Sequence, residues 1–235
     1  MTILKRFTTL VITLSICVGS VWAGDVEDGN AALIKKDYVT ALKKYKSAAA
    51  KNDAYAQLQV GSFYDEGLGV VQDYAEAVRW YKLAAAQGRA DAQFNLGFMY
   101  ANGLGVVQDY AEAVRWYKLA AAQGDASAQY NLGSKYANGQ GVVQDYAEAV
   151  RWYKLAAAQG EAKAQYNLGF MYATGQGVLQ NNVQAHMWFN IAAVKGDKES
   201  VKNREYVANK MTAEQIAQAQ RLAKECQARN YKNCD

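Results

Sequence analysis

The chain carries few strong nucleophiles or metal ligands: one histidine, His186, and three cysteines, Cys17, Cys226 and Cys234. A single imidazole excludes metal sites and catalytic dyads that need two, and leaves only a lone His–nucleophile pair to consider. No S-x-x-K, G-x-S-x-G, H-E-x-x-H or P-loop string occurs, so the local signatures of acyl transfer, zinc hydrolysis and phosphate binding are missing. His186 stands in the register of Val78, Val114 and Val150 within a repeated segment, which predicts a packed or half-exposed imidazole, not a general base. No catalytic residue, metal or cofactor is expected.

The first residues read as an address. Lys5 and Arg6 precede an apolar run from Leu10 to Val18, and Val21-Trp22-Ala23 supplies small residues for cleavage after Ala23. Residues 1–23 are thus expected to be a signal peptide, and the mature chain to be periplasmic or secreted. A lipoprotein anchored at Cys17 is the alternative, with Ile16 a poor residue immediately before a lipidated cysteine. Export places Cys226 and Cys234 in an oxidising compartment, where an even pair closing a short loop forms a disulfide. Such a bond stabilises by roughly 2.5 kcal/mol in the loop-closure picture. The redox alternative lacks a C-x-x-C spacing.

Bulk composition narrows the partners. The 26 basic and 22 acidic residues give +4, and removing Lys5 and Arg6 leaves 24 against 22. That excess is too small to predict nucleic acid or a membrane surface as partner. With 51% hydrophobic and 20% charged residues, the chain is neither a disordered tail nor a membrane bundle, and no span is expected in the mature protein.

Whatever the chain does must be carried by a repeat. The string GVVQDYAEAVRWYKLAAAQG occurs unchanged from Gly69, Gly105 and Gly141, a period of 36 residues. A second piece, AQ-x-x-x-G-x-x-Y, recurs from Ala56, Ala92, Ala128 and Ala164. The last copy drifts, with Asn181-Asn182 for Asp-Tyr, yet Trp188, Ala192, Ala193 and Gly196 keep their places. Asp37, Tyr38, Ala41, Tyr45 and Ala48 extend the register backwards.

Each unit predicts two helices, A and B. Gln93, Leu96, Gly97 and Tyr100 follow i, i+3, i+4, i+7 spacing along helix A, which Gly103 and Gly105 stop. Asp109 and Glu112 have capping-box spacing at the start of helix B, whose inner face carries Tyr110, Ala113, Tyr117, Ala120 and Ala121. Gly124 ends helix B where left-handed backbone is needed, and Asn52 takes that place in the first unit. Such a unit cannot bury its own apolar face and must stack on neighbours. The expected fold is all-α, a right-handed superhelical solenoid of two-helix 36-residue repeats. The expected divisions are a degenerate N-terminal cap (24–55), four repeats (56–91, 92–127, 128–163 and 164–199) and C-terminal capping helices with the disulfide loop (200–235). The N-terminal unit has about a dozen residues ahead of its helix B and lacks the Leu-Gly pair. At the other end Thr212 and Gln215 form a capping box opening a helix to about Ala228.

Ala90, Ala92, Gln93, Leu96, Gly97, Tyr100, Gly103, Gly105 and Val106, then Ala113, Trp116, Tyr117, Ala120, Ala121 and Gly124, resemble the Sel-one-like repeat family, relatives of the tetratricopeptide repeats. Tetratricopeptide repeats proper fit less well, given the 36-residue period, the Gly-Gly turn and the absence of proline. The resemblance implies a non-catalytic scaffold that binds a protein or peptide, and a monomer is expected. A cysteine-rich branch of the family resembles penicillin-binding proteins and is credited with weak β-lactamase activity. It gives the alternative of a peptidoglycan-related ligand binder, but this chain has no cysteine inside its repeats.

Thirty positions are identical between the second and third units, and the six that differ are Phe94/Tyr130, Phe98/Ser134, Met99/Lys135, Leu104/Gln140, Asp125/Glu161 and Ser127/Lys163. At about 100° per residue, Phe94 and Phe98 fall opposite the Gln93–Leu96–Tyr100 stripe. In related solenoids that side of helix A lines the concave surface. Phe94, Phe98, Asn102, Tyr130, Ser134, Asn138, Tyr166 and Phe170 are therefore the candidate partner-binding residues. Packing along the inner wall, or drift after duplication, is the alternative for any one of them. The Trp80, Trp116, Trp152 and Trp188 ladder is expected to pack between helices. Gln57, Gln93, Gln129 and Gln165 are expected as buried amides bonded to the Gly-Gly turn, since an unpaired one costs about 1–3 kcal/mol.

Overall fold

The computed structural model describes residues 23–194 and 196–234. The proposed leader, with Lys5, Arg6 and Cys17, lies outside them apart from Ala23, where the first helix begins. Twelve helices follow, with no strand among the described residues: α1 (Ala23–Ile34), α2 (Tyr38–Ala49), α3 (Ala54–Glu66), α4 (Tyr74–Ala86), α5 (Ala90–Asn102), α6 (Tyr110–Ala122), α7 (Ala126–Asn138), α8 (Tyr146–Ala157), α9 (Ala162–Thr174), α10 (Asn182–Ala193), α11 (Lys198–Ala208) and α12 (Ala213–Ala228). From α1 to α11 each helix packs on its predecessor. The apolar core is split into four clusters along the chain, as near-neighbour stacking requires.

Within a pair, helix A meets helix B through a glycine. A Cβ on Gly97 would sit 2.6 Å from the ring of Tyr117, and the same contact recurs at Gly61–Tyr81, Gly133–Tyr153 and Gly169–Phe189. The rings facing these glycines are fully buried. Gly29 makes the same contact with Tyr45, so the N-terminal unit has a helix A of its own in α1. The missing Leu-Gly pair hid it, because here the glycine follows Asp28 and a short Lys35-Lys36-Asp37 turn replaces the glycine loop.

Between helices A and B the chain folds back on fixed bonds. The side-chain amide of Gln108 donates to the carbonyl of Ala101 at 2.8 Å, and the Asp109 N–H to that of Tyr100 at 2.9 Å. Asp109 caps α6 by accepting the N–H groups of Ala111 and Glu112. The second half of the expected box is absent, because Glu112 pairs with Arg115 at 3.0 Å instead. Both halves form at Thr212 and Gln215, which open α12.

Repeats join at three places. Gly105 (φ +67°) lies against the first turn of α4, where a Cβ would come within 2.3 Å of the Tyr74 carbonyl. Trp116 packs on the core of the unit before it, as Trp80 and Trp152 do. The third joint corrects an expectation: the buried Gln93 does not reach the Gly-Gly turn. Its amide donates to Ala85 at the end of α4 (3.3 Å), and its oxygen accepts from Gln123 (2.8 Å). Gln57–Gln87 and Gln129–Gln159 repeat the pairing. The turn is held by Gln72, Gln108, Gln144 and Gln180 instead.

At the C-terminus, α12 packs on α10 and the Cys226–Cys234 disulfide joins the cluster around Trp188 and Phe189. Two outcomes are expected. Gly124→Ala adds a side chain at φ +91° with nothing within 4 Å, costing about 1–2 kcal/mol of backbone strain. Gly105→Ala meets backbone as well and costs at least about 2 kcal/mol more, read as a larger drop in urea midpoint. Reduction of Cys226–Cys234 raises amide exchange in α12 and leaves α3–α8 unchanged; equal protection of α12 with and without reductant would remove its role as a pinned cap.

Candidate binding face

The candidate residues lie on α5, α7 and α9, the first helix of three successive units, at positions that recur every 36 residues. The candidate residues divide by depth. Phe94, Tyr130 and Tyr166 are half-buried and lean on the core ring of their own helix B, with centroids 6.0 Å from Tyr117, 6.0 Å from Tyr153 and 5.6 Å from Phe189. One turn on, Phe98 and Phe170 stand 38% and 44% exposed. Ser134 holds that register between them, half-buried. Asn102 and Asn138 are exposed, and each donates to a carbonyl of its own last turn, Phe98 and Ser134. All eight lie on α5, α7 and α9, and the structure gives the 94/130/166 positions a packing duty that helical spacing alone leaves open.

The buried tyrosines send their hydroxyls towards this face. Tyr81 donates to the Asp65 carboxylate at 3.1 Å, and the Ser62 hydroxyl lies 3.3 Å from the Tyr81 hydroxyl oxygen. Burial pushes the Tyr153 hydroxyl up to about 12, with Asn167 and Ser134 beside it. Where Ser gives way to Phe170, the core ring becomes Phe189, which has no hydroxyl to satisfy. Burial also raises Asp65 and Glu66 above the usual carboxylate range. Lys135, in the register of the buried Met99, lies 4.2 Å from the centre of the Tyr110 ring and donates to Gln140 at 2.8 Å. Burial lowers its ammonium. The Met99→Lys135 and Leu104→Gln140 differences between units are therefore one coupled change.

A cleft of about 350 Å³ opens on this face, lined by Tyr130, Ala162, Lys163, Tyr166, Ala192, Asp197, Glu199 and Ser200. Sequence reasoning had placed only the two tyrosines there. Lys163 was visible as a difference between units, and Glu199 follows it by one period at the end of the divergent fourth repeat. No three His, Cys, Asp or Glu side chains converge on a metal-sized site among the described residues. His186 is buried on α10, its Nδ1 without a hydrogen-bond partner. Burial, and secondarily the charge of Arg204, lowers its pKa.

Helix pairs stacked unit on unit define a helical-repeat solenoid. The chain belongs to the Sel1 repeat family, matched at residues 24–53, 54–88, 90–125, 126–161 and 162–197. A Sel1 repeat protein from Oxalobacter formigenes is similar at 36% identity and a TM-score of 0.70, over 74% of this chain and 72% of that one. Two further structures share the fold. They are the protective antigen c5321 of uropathogenic Escherichia coli (24% identity, TM-score 0.50, 91% and 70% of the two chains) and a sel1 repeat protein from Klebsiella pneumoniae (21%, 0.51, 80% and 93%). Among curated proteins, none matches this sequence.

The buried histidine gives a pH prediction. Folding favours its neutral form, so its contribution is complete above the ordinary value near 6.5 and is lost as pH falls below it. The unmodified chain should lose more stability between pH 7 and pH 5 than His186→Val, which restores the residue of the other repeats. Parallel stability–pH curves for the two proteins would contradict this.

Proposed function

We propose that this chain is an exported, non-catalytic scaffold that holds a segment of another protein along a concave face formed by α3, α5, α7, α9 and α11. Sel1 repeats are protein-interaction modules, and residues 24–55 and 200–235 cap the four units of 56–199 in this reading. The disulfide and the absence of any membrane-length apolar helix among the described residues are compatible with export. One observation carries the choice of face: Phe98 and Phe170 keep large aromatic rings in solvent on helices whose other aromatics are packed. Exposed aromatics grouped on one surface mark interaction sites. The ligand-binding alternative of the cysteine-rich branch draws no support from these repeats, which contain no cysteine.

Capture from envelope extract tests the reading. A Phe98→Ala/Phe170→Ala variant leaves the packed Phe94 and Tyr166 in place, so its helicity should match the unmodified chain. A partner enriched at least about ten-fold by the unmodified chain over the variant is expected, the loss that two interface aromatics typically bring. Equal recovery by both would remove this face from the function.

A further inference from the structure

The cleft between α7, α9 and α11 has a composition met at one step of the solenoid. Its walls are the rings of Tyr130 and Tyr166, and Ala162 and Ala192 add small side chains to its lining. Both rings are braced from behind, Tyr130 by Tyr153 and Tyr166 by Phe189, and the Tyr166 hydroxyl accepts from Asn203 at 2.9 Å. Walls held this way lose little freedom when a ligand enters. Asp197 is engaged as the cap of α11, accepting from the backbone and the hydroxyl of Ser200.

Two charges remain. Lys163 on α9 and Glu199 on α11 are exposed, stand one repeat apart in the same register, and make no ion pair among the described residues. The Lys163 ammonium sits 5.9 Å from the centre of the Tyr130 ring. One step back, the four positions read Phe94, Ser127, Tyr130 and Lys163; two steps back, Leu58, Asp91, Phe94 and Ser127. Only the last step sets a cation and an anion across a cleft lined by two tyrosines. Asp91, the other charge in this register among the repeats, is already paired with Arg89.

We propose that this cleft anchors a polypeptide segment in which one bulky apolar residue is flanked by an acidic residue and a basic one. The apolar side chain lies between Tyr130 and Tyr166, the acid meets Lys163 and the base meets Glu199. A like-charged segment would place a repulsion where this one has an attraction. The proposal rests on the reading of the odd-helix face as the binding face and specifies what that face selects.

The test uses capped tripeptides as probes, with the tyrosine rings of the purified chain followed by NMR. The probes are N-acetyl-Glu-Phe-Lys-amide and N-acetyl-Lys-Phe-Glu-amide, which cover both chain directions. Like-charged Glu-Phe-Glu and Lys-Phe-Lys peptides and the Phe→Ala version serve as comparisons. One mixed-charge peptide should shift the Tyr130 and Tyr166 rings and bind about five-fold more tightly than the like-charged pair, the size expected of solvent-screened ion pairs. Replacing its Phe by Ala should abolish the shift. In Lys163→Glu/Glu199→Lys the charges change places, so the preferred chain direction should invert; a purely structural role for these residues would not produce that. Equal affinities for all charge patterns, no inversion, or no perturbation of the two rings would overturn the proposal. Where the tripeptides fail but an extract partner still depends on Phe98 and Phe170, the cleft is refuted and the wider face stands. Where capture fails as well, both fall.

Discussion

The approach of the two helices within each pair is set by a glycine on the first meeting an aromatic ring on the second. With Cβ atoms forbidden at Gly61, Gly97, Gly133 and Gly169, helices A and B of each pair approach until the ring of Tyr81, Tyr117, Tyr153 or Phe189 lies flat on bare backbone. The large ring is then fully buried, and each such burial is worth about 1.5–3 kcal/mol. The tyrosine is long enough that its hydroxyl emerges on the opposite side, at the odd-helix face. There a serine or carboxylate receives it in the Tyr81 unit. One packing rule thus fixes the helix pair and, in the Tyr81 unit, also engages Ser62 and Asp65.

Stacking the pairs takes a different set of contacts, and these explain why the repeated string is so uniform. Gly105 lies against α4 backbone, Trp116 packs on the core of the preceding unit, and the buried Gln93 amide donates to Ala85 while its oxygen accepts from Gln123. All three join residues of adjacent units, so a change in one unit is felt in its neighbour. Lys195 stands where the glutamine ladder would take its next rung, and beyond it α12 and the disulfide close the last core in place of another repeat. The N-terminal end closes more economically, with Gly29 and Tyr45 repeating the intra-pair contact over a shorter turn.

Function is left to the positions these rules do not constrain. Between the second and third units the framework string does not vary, and the differences fall on helix A and its flanks. One of them, Met99 to Lys135, was compensated internally through Tyr110 and Gln140. Others change depth as well as chemistry: Ser127 is buried where Lys163 is exposed, and Phe98 is exposed where Ser134 is half-buried beside the Tyr153 hydroxyl. In the proposed function, recognition is built from such positions, on a scaffold whose geometry the invariant string holds constant.

The 36-residue period, the helix pairs, the glycine stops, the helix caps at Asp109 and Thr212 and the cysteine pair were all legible in the sequence. Each depends on residues close along the chain or at a fixed spacing, where local backbone chemistry and periodicity act. The helix in front of Tyr45 was hidden because its glycine lacked the flanking leucine, and contact with an aromatic ring sixteen residues away, not the local string, is what makes that glycine matter. Helical periodicity put Phe94 and Phe98 on one side of α5. Only packing against Tyr117 separated the buried ring from the free one. The partners of the buried glutamines, and the opening of a cleft at Tyr130 and Tyr166, were decided by the tertiary structure alone. They join side chains on different helices, and the distance between such groups is set by how the repeats stack.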